Sequence, residues 1–321
     1  MAHFETLEYD IKQMLQGHSA PSSLHLEDAT AKRIITLARN VALHTLDMVN
    51  FKPREPKDKG DVSIRMSEIG EPCIRKLLYK WYKPEYGVAP YAGDQEPFLP
   101  VKFTYGDYIE ELTLFLASEA GHKVSERQEE VTFKGSEINI TCDTWYAVGH
   151  IDAVIDDTVV DVKSAADGSF NKYKREGLTE ATDTFGYLWQ LDSYAFAKGT
   201  EKRAFVFTNK HDGSIHIIDR SNETLLPVTA MVNVIGAHAN RYHEDGKLPE
   251  RMPLKPSKYG SQLGTVCSYC AFKYACYDGN VTGTISSGRP MYFVTSELTS
   301  EGVKFVKEKG PIKTPDAYIP F

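Results

Sequence analysis

The segment Gly149–Lys163, GHIDAVIDDTVVDVK, constrains the fold of this chain more than any other. Asp156-Asp157 reads as a two-residue hairpin turn, which Asp tolerates although Asn-Gly would signal it more strongly. Pairing outward from the turn sets Ile155 opposite Thr158, Val154 opposite Val159 and Asp152 opposite Asp161. Side chains alternate faces with a period of two, so Lys163 shares a face with Asp161, while Val160 and Val162 point the other way. Like charges facing each other across a strand pair repel. A hard divalent cation such as Mg²⁺, which takes oxygen ligands, would relieve that repulsion. Lys163 would then orient a water or stabilise charge developing on a phosphate. A solvated polar face with an ordinary Lys–Asp pair accounts for the same residues, and the register alone leaves both readings open.

The rest of the composition narrows the class. The 321 residues are 41% hydrophobic and 25% charged, as in ordinary globular proteins, and suit one large or two modest domains. No apolar run is long enough for a membrane span. Met1-Ala2-His3-Phe4-Glu5 lacks the basic start and apolar stretch of a secretory signal, so a cytoplasmic location is expected. Five cysteines, an odd number, argue against a secreted disulfide framework and leave metal binding open. The net charge of -7 counts against nucleic-acid binding driven by overall charge. Basic groups at Arg75-Lys76 and Lys80, and at Lys172, Lys174 and Arg175, nevertheless offer local phosphate contacts. No G-x4-G-K-[ST] sequence is present, so no P-loop motor is expected.

Periodicity predicts helices over residues 4–17 and 27–50, the second on a stripe of Ile34, Leu37, Val41 and Met48 interrupted by Thr45. A linker over 51–61, a helix over 71–81, a loop over 84–100 and a helix over 105–119 closed by Gly121 follow. Strands are expected over 123–164, a helix over 185–198, and strands over 203–208 and 214–219 around a turn at Asp212-Gly213. A helix over 223–244 precedes a cysteine segment at 267–276. The order indicates an α/β domain with a helical collar. The division expected is a helical N-terminal extension and linker (1–60), a core with the cysteine cluster (61–276) and a tail (277–321). Lys304, Lys307, Lys309 and Lys313 in that tail read as a solvated charged surface, with DNA contact as the alternative.

Several side chains have bland readings when taken singly. Glu110 suits a solvated helix face; Gln190 and Tyr194, four apart, share one helix face, with Tyr194 half-buried. Trp81, Tyr82 and Trp189 read as core rather than as stacking surfaces for bases. Cys267-x2-Cys270-x5-Cys276 with Cys73 far upstream supplies four thiolates, which hold either Zn²⁺ or a [4Fe–4S] cluster; spacing does not separate the two. Cys142 is left as a free thiol in a strand.

Gly106-x3-Glu110, Gly149-x2-Asp152, Asp161-Val162-Lys163 and Gln190-x3-Tyr194, with one cysteine before them and C-x2-C-x5-C after, stand in an order that resembles the RecB-like branch of the PD-(D/E)XK nucleases. The cysteine pattern resembles its iron–sulfur group, the AddB-like and CRISPR-associated Fe–S exonucleases, and the likeness spans residues 67–276. It implies a restriction-endonuclease-like α/β core, a mixed central sheet flanked by helices, with a helical N-terminal extension and a cysteine-ligated cluster segment. It implies that Glu110, Asp152 and Asp161 bind Mg²⁺ or Mn²⁺ with help from the Val162 carbonyl, that Lys163 assists the attacking water, and that Gln190 and Tyr194 position Lys163 or the DNA. Many relatives carry His where this chain has Glu110. A structural [4Fe–4S] cluster on Cys73, Cys267, Cys270 and Cys276 is implied, with Zn²⁺ as the alternative. The implied activity is a metal-dependent exonuclease acting on DNA ends or single strands in recombination, repair or DNA degradation, in a bacterium or a phage-infected host. CRISPR spacer trimming lies within the same family. Where unwinding is required, a separate helicase or recombination protein is the implied partner. The rival expectation is a non-catalytic DNA-binding or scaffold module, which the intact Asp152, Asp161 and Lys163 set disfavours.

Overall fold

A computed structural model describes residues 3–17, 35–36, 38–39, 62–87, 99–135, 145–287 and 289–312. A 3-10 turn, Phe4–Thr6, leads into α1 (Leu7–Gly17); β1 (Ser63–Arg65), α2 (Met66–Ile69), α3 (Ile74–Tyr82) and α4 (Leu99–Glu119) follow. Five strands come next: β2 (Val124–Ser125), β3 (Glu130–Lys134), β4 (Tyr146–His150), β5 (Ala153–Ile155) and β6 (Thr158–Ala165). After α5 (Asp167–Glu176) and α6 (Tyr187–Lys198) the chain returns to strands in β7 (Arg203–Asn209) and β8 (Ile215–Asp219), then enters α7 (Val228–Asp245). It closes with β9 (Lys255–Ser257), β10 (Gly260–Gln262), α8 (Thr265–Ser268), α9 (Lys273–Cys276), β11 (Val281–Ser286), β12 (Arg289–Leu298) and α10 (Ser300–Lys309). The fold class is α/β. Among the described residues no helix is long and apolar enough to cross a membrane.

The chain divides into two compact units. The first is drawn from Met1–Lys52, Ser63–Gly70 and Pro100–Asn233, the second from Pro53–Val62, Glu71–Leu99 and Val234–Phe321.

The first unit holds a five-stranded sheet in the order β2-β5-β6-β7-β8, in which only β6 and β7 run parallel. Its hairpin pairs Ile155 with Thr158, Val154 with Val159 and Ala153 with Val160, as the alternation predicts. Asp156 and Asp157 both adopt positive φ, +46° and +65°. That conformation is costly for non-glycine residues. It is offset at Asp156, whose carboxylate accepts the Lys123 N–H at 2.9 Å and lies 2.6 Å from Nδ1 of the buried His122. A parallel β6–β7 pair needs a crossover, and α5 and α6 supply it. On one face, Val160, Val162, Ala204 and Val206 pack with Ala153 and Ile155 against Phe4, Leu7, Ile11, Leu114 and Ala117. Each of the larger aliphatic side chains buried there contributes about 1.5–3 kcal/mol. On the other face Tyr173 of α5 packs against Phe207, with ring centroids 4.8 Å apart and planes tilted by 35°. There too Arg203 and Asp192, both fully buried, form an ion pair at 2.5 Å. Arg203 also donates to the Glu201 and Glu223 carbonyls, and Asp192 accepts the Leu226 N–H, so the pair has its hydrogen bonds satisfied.

A three-stranded sheet, β1-β4-β3, completes this unit, with β1 parallel and β3 antiparallel to β4. Gly149 of β4 stands where a Cβ would lie 2.7 Å from Tyr194 Cε1 and 3.0 Å from Met66 Cβ and Sδ. The absent side chain lets α2 and α6 close on the sheet.

The second unit is built on an antiparallel sheet in the order β11-β12-β10-β9, with a core of Leu263, Tyr274, Tyr277, Val281, Tyr292 and Val294. Tyr79 of α3 stacks on Phe272 at 5.7 Å; Trp81 is fully buried and Tyr82 stacks on Tyr242. The span expected as a tail therefore contains two strands and a helix through residue 309. Gly283 interrupts the β-branched run of VTGTIS and weakens its strand signal.

Element ends moved for identifiable reasons. The helix expected from 185 starts at Tyr187 because Gly186 is left-handed, φ +76°. The one expected from 223 starts at Val228, since a residue preceding proline, here Leu226 before Pro227, is pushed out of the helical region. The helix expected from 105 starts earlier, at Leu99, and α5 was not expected at all. The linker over 51–61, Cys142, Lys313 and, apart from 35–36 and 38–39, the helix over 27–50 lie outside the described residues.

Gly149→Ala is expected to lower stability by about 1–3 kcal/mol through overpacking against Tyr194 and Met66. A urea-unfolding midpoint equal to wild type would contradict the close approach.

Candidate active site

Asp152 lies just before β5, and its Oδ2 accepts the Val162 N–H across the hairpin at 2.7 Å. Asp161, in the middle of β6, is fully buried. Lys163 Nζ donates to its Oδ1 at 2.8 Å and stands 2.7 Å from its Oδ2. Among the described residues Oδ2 is a buried oxygen with no hydrogen bond beyond this ionic contact with Lys163. The Lys163 side chain retains 18% of its exposure, and its ammonium lies 5.1 Å from the centre of the Tyr187 ring. Glu110, one turn before the buried Leu114 of α4, accepts a hydrogen bond from Gln128 Nε2 at 2.9 Å. On α6, Gln190 Nε2 donates to the Tyr194 hydroxyl at 2.8 Å. Val162 turns its side chain into the apolar core.

The electrostatics mark these groups as one cluster. Burial, the Asp161 charge and Asp107 push the Asp152 carboxyl up to about 7 against the pull of Lys163 and the Val162 N–H. Glu110 is pushed up to about 8 by burial, Asp152, Glu111 and Asp161, opposed by Lys163. Asp161 is raised by burial and by Asp183, with Lys163 opposing. Burial alone would lower the Lys163 ammonium, but Asp161 and Asp152 outweigh it and hold the proton on. Burial and the Asp161 charge raise Tyr194, so its hydroxyl stays protonated at neutral pH.

Asp161 raises Asp152, and both raise Glu110, so these three carboxylates suit a divalent cation by donor chemistry and charge. In the conformation described, no three His, Cys, Asp or Glu side chains among the described residues converge tightly enough to hold an ion. The structure thus brings Glu110, Asp152, Asp161, Lys163 and Tyr194 within electrostatic reach, with Gln190 joined through Tyr194. Gly106 is not sterically demanded, since a Cβ there would meet only Ser164 Oγ at 3.7 Å. Gln128, Tyr187, Asp107 and Asp183 were not anticipated. Gln128 reaches Glu110 from a backbone at φ +54°, a conformation with no residue signal in its favour.

In the second unit Cys73 sits at the N-cap of α3, and Cys267, Cys270 and Cys276 lie in and between α8 and α9; all four are free thiols. Burial, then Cys73, Cys270 and Cys276, push the Cys267 thiol up to about 12. Burial likewise pushes Cys270 up to about 11 and raises Cys73 and Cys276. Cations oppose the rise, Lys76 at Cys73 and Cys270, Arg75 and Arg251 at Cys276. Lys273 is almost fully buried, donates to the Cys270 carbonyl at 2.9 Å and lies 4.6 Å from the Tyr292 ring centre. The four reduced thiols have the donor chemistry of a tetrathiolate metal group, with cations beside Cys73, Cys270 and Cys276, but no three of them converge tightly enough in the conformation described to hold an ion.

No family model and no curated protein matches the chain. Solved structures similar to it include SSO0001, at 15% identity and a TM-score of 0.41, covering 74% of this chain and 93% of that one. An alkaline exonuclease (LHK-Exo) from Laribacter hongkongensis has 13% identity and a TM-score of 0.32, covering 57% and 90%. LHK-Exo in complex with dAMP has 13% identity and a TM-score of 0.31, covering 58% and 93%. At these scores none of them carries an assignment to this chain.

The raised carboxyls have a thermodynamic consequence. Their folded values lie above the unfolded ones of 3.8 and 4.5, so between about pH 4 and 8 the native state binds more protons than the unfolded chain. Their contribution to stability is therefore present at low pH and lost as pH rises toward 8. In EDTA, raising the pH from about 5 to about 8 should lower the melting temperature of wild type more than that of Asp152→Asn, which can still accept the Val162 N–H. Parallel pH profiles for the two proteins would contradict the raised values.

Proposed function

We propose that the chain is a Mg²⁺- or Mn²⁺-dependent DNA exonuclease of the RecB-like PD-(D/E)XK kind, hydrolysing phosphodiester bonds at DNA ends or in single strands. The observation that carries this reading is the Asp152–Asp161 pair, Asp161 fully buried and Asp152 half-buried, with Lys163 beside it and one Asp161 oxygen engaged by the Lys163 ammonium alone. The cation would be held by Asp152 and Asp161, with Glu110 and the Val162 carbonyl as further donors. When bound, it supplies Lewis-acid stabilisation of the phosphate and a more acidic water.

The chain's own groups do the rest. Lys163, kept protonated by its two aspartates, stabilises negative charge developing on the phosphate and orients the attacking water. Tyr194 accepts a hydrogen bond from Gln190 and keeps its own proton for donation, either to a phosphate oxygen or to the attacking water. Gln128 holds one oxygen of Glu110, which leaves the other for a ligand. Asp161→Ala should reduce Mg²⁺- or Mn²⁺-dependent cleavage of end-labelled linear DNA by about 100- to 1,000-fold or more. Wild type that cuts nothing, or a variant that cuts equally well, ends the nuclease reading.

The four thiols are proposed to hold a [4Fe–4S] cluster with a structural role, in line with their burial and their cationic surroundings. Protein purified without oxygen should be brown and carry about four irons per chain. Cys276→Ser should lose iron and melt at a lower temperature. Colourless wild-type protein with stoichiometric zinc would replace the cluster with Zn²⁺.

A further inference from the structure

The geometry points to a base-stacking platform made of Phe185 and Tyr187 beside Lys163, which takes the unpaired terminal nucleobase of a single-stranded DNA end. The platform rests on the nuclease reading and gives it a substrate class, an end with at least one unstacked base.

Phe185 keeps 63% of its surface exposed, so a large apolar ring faces solvent next to a buried ionic cluster. Its centroid lies 5.4 Å from that of Tyr187, with the planes tilted by 31°, and the Tyr187 ring lies 5.1 Å from the Lys163 ammonium. A cation proposed to meet a phosphate oxygen and a pair of aromatic faces therefore stand side by side, the arrangement a nucleotide needs for its charged and planar halves.

The backbone that carries the rings is held before any ligand arrives. Asp183 Oδ1 accepts the Phe185 N–H at 3.2 Å and the Tyr187 N–H at 3.0 Å, and Oδ2 accepts the Leu188 N–H at 2.8 Å. These three bonds pin the backbone of both aromatic residues and spread the carboxylate's charge over the start of α6. Gly186 between them takes φ +76°, and a Cβ there would stand 2.4 Å from the Gly70 carbonyl oxygen, so this turn lies backbone to backbone against Gly70. The backbone share of the ordering cost that would otherwise reduce affinity is already met.

An aromatic face of this kind favours any base, because every base has a π surface, and does not select sequence. It requires that surface to be free, which excludes a base stacked and paired within a duplex.

The test is equilibrium binding in EDTA, where no cleavage occurs, using a short single-stranded oligothymidylate and an equal-length strand ending in an abasic residue. Phe185→Trp should show fluorescence quenched by the first strand and not by the second. Phe185→Ala should weaken the first strand by about 5- to 100-fold, the range for one base stacked on an aromatic ring. It should leave the abasic strand unchanged. If Phe185→Ala binds both strands as wild type does, or Phe185→Trp is not quenched, the platform is refuted. Cleavage by wild type separates the two claims. Wild type that cuts DNA while these variants bind normally loses the platform and keeps the nuclease reading, whereas wild type that neither binds nor cuts DNA loses both.

Discussion

Two carboxylates brought together at a β-hairpin, one within β6 and one just before β5, govern much of the first unit. Asp161 is buried in the middle of β6, and Asp152 reaches across the hairpin to the next residue's N–H. Lys163 is the cation paired with them. The alternation that directs Asp161 and Lys163 to one face directs Val160 and Val162 into the apolar core on the other. A slip of one residue in the β5–β6 register would turn the charges into that apolar core and the valines into the polar site. Core and site are thus specified by the same pairing, and selection on either acts on both.

Residues remote from the chemistry hold the α6 side of the site. The buried Arg203–Asp192 pair ties α6 to β7, and Gly149 allows Tyr194 to approach β4. Asp183 fixes the start of the same helix. Breaking a buried ion pair by removing one partner costs about 3–5 kcal/mol. The placement of Tyr187, Gln190 and Tyr194 is therefore exposed to substitutions that touch no ligand.

The hairpin was legible in the sequence because its turn and its period of two are local properties. Ile155 could be paired with Thr158 by counting outward from Asp156-Asp157. Glu110 illustrates the opposite case: on sequence it is one more charge on a helix, and its carboxyl is raised first by burial and then by Asp152 and Asp161, far along the chain. Gln128 and Tyr187 were hidden for the same reason, since their roles come from neighbours brought by tertiary folding. Helix ends failed where one residue overrode a longer pattern, as Gly186 and Pro227 do.

The second unit joins Cys73 to cysteines at 267, 270 and 276, so 194 positions separate its first thiol from the next (267 minus 73). At about 5–20 residues per second, a ribosome takes about 10–40 s to cover that interval. Throughout it Tyr79 lacks its stacking partner Phe272, and the first thiol lacks the other three. Assembly of this unit is a late event in biosynthesis, since its earlier part waits for the last quarter of the chain to emerge.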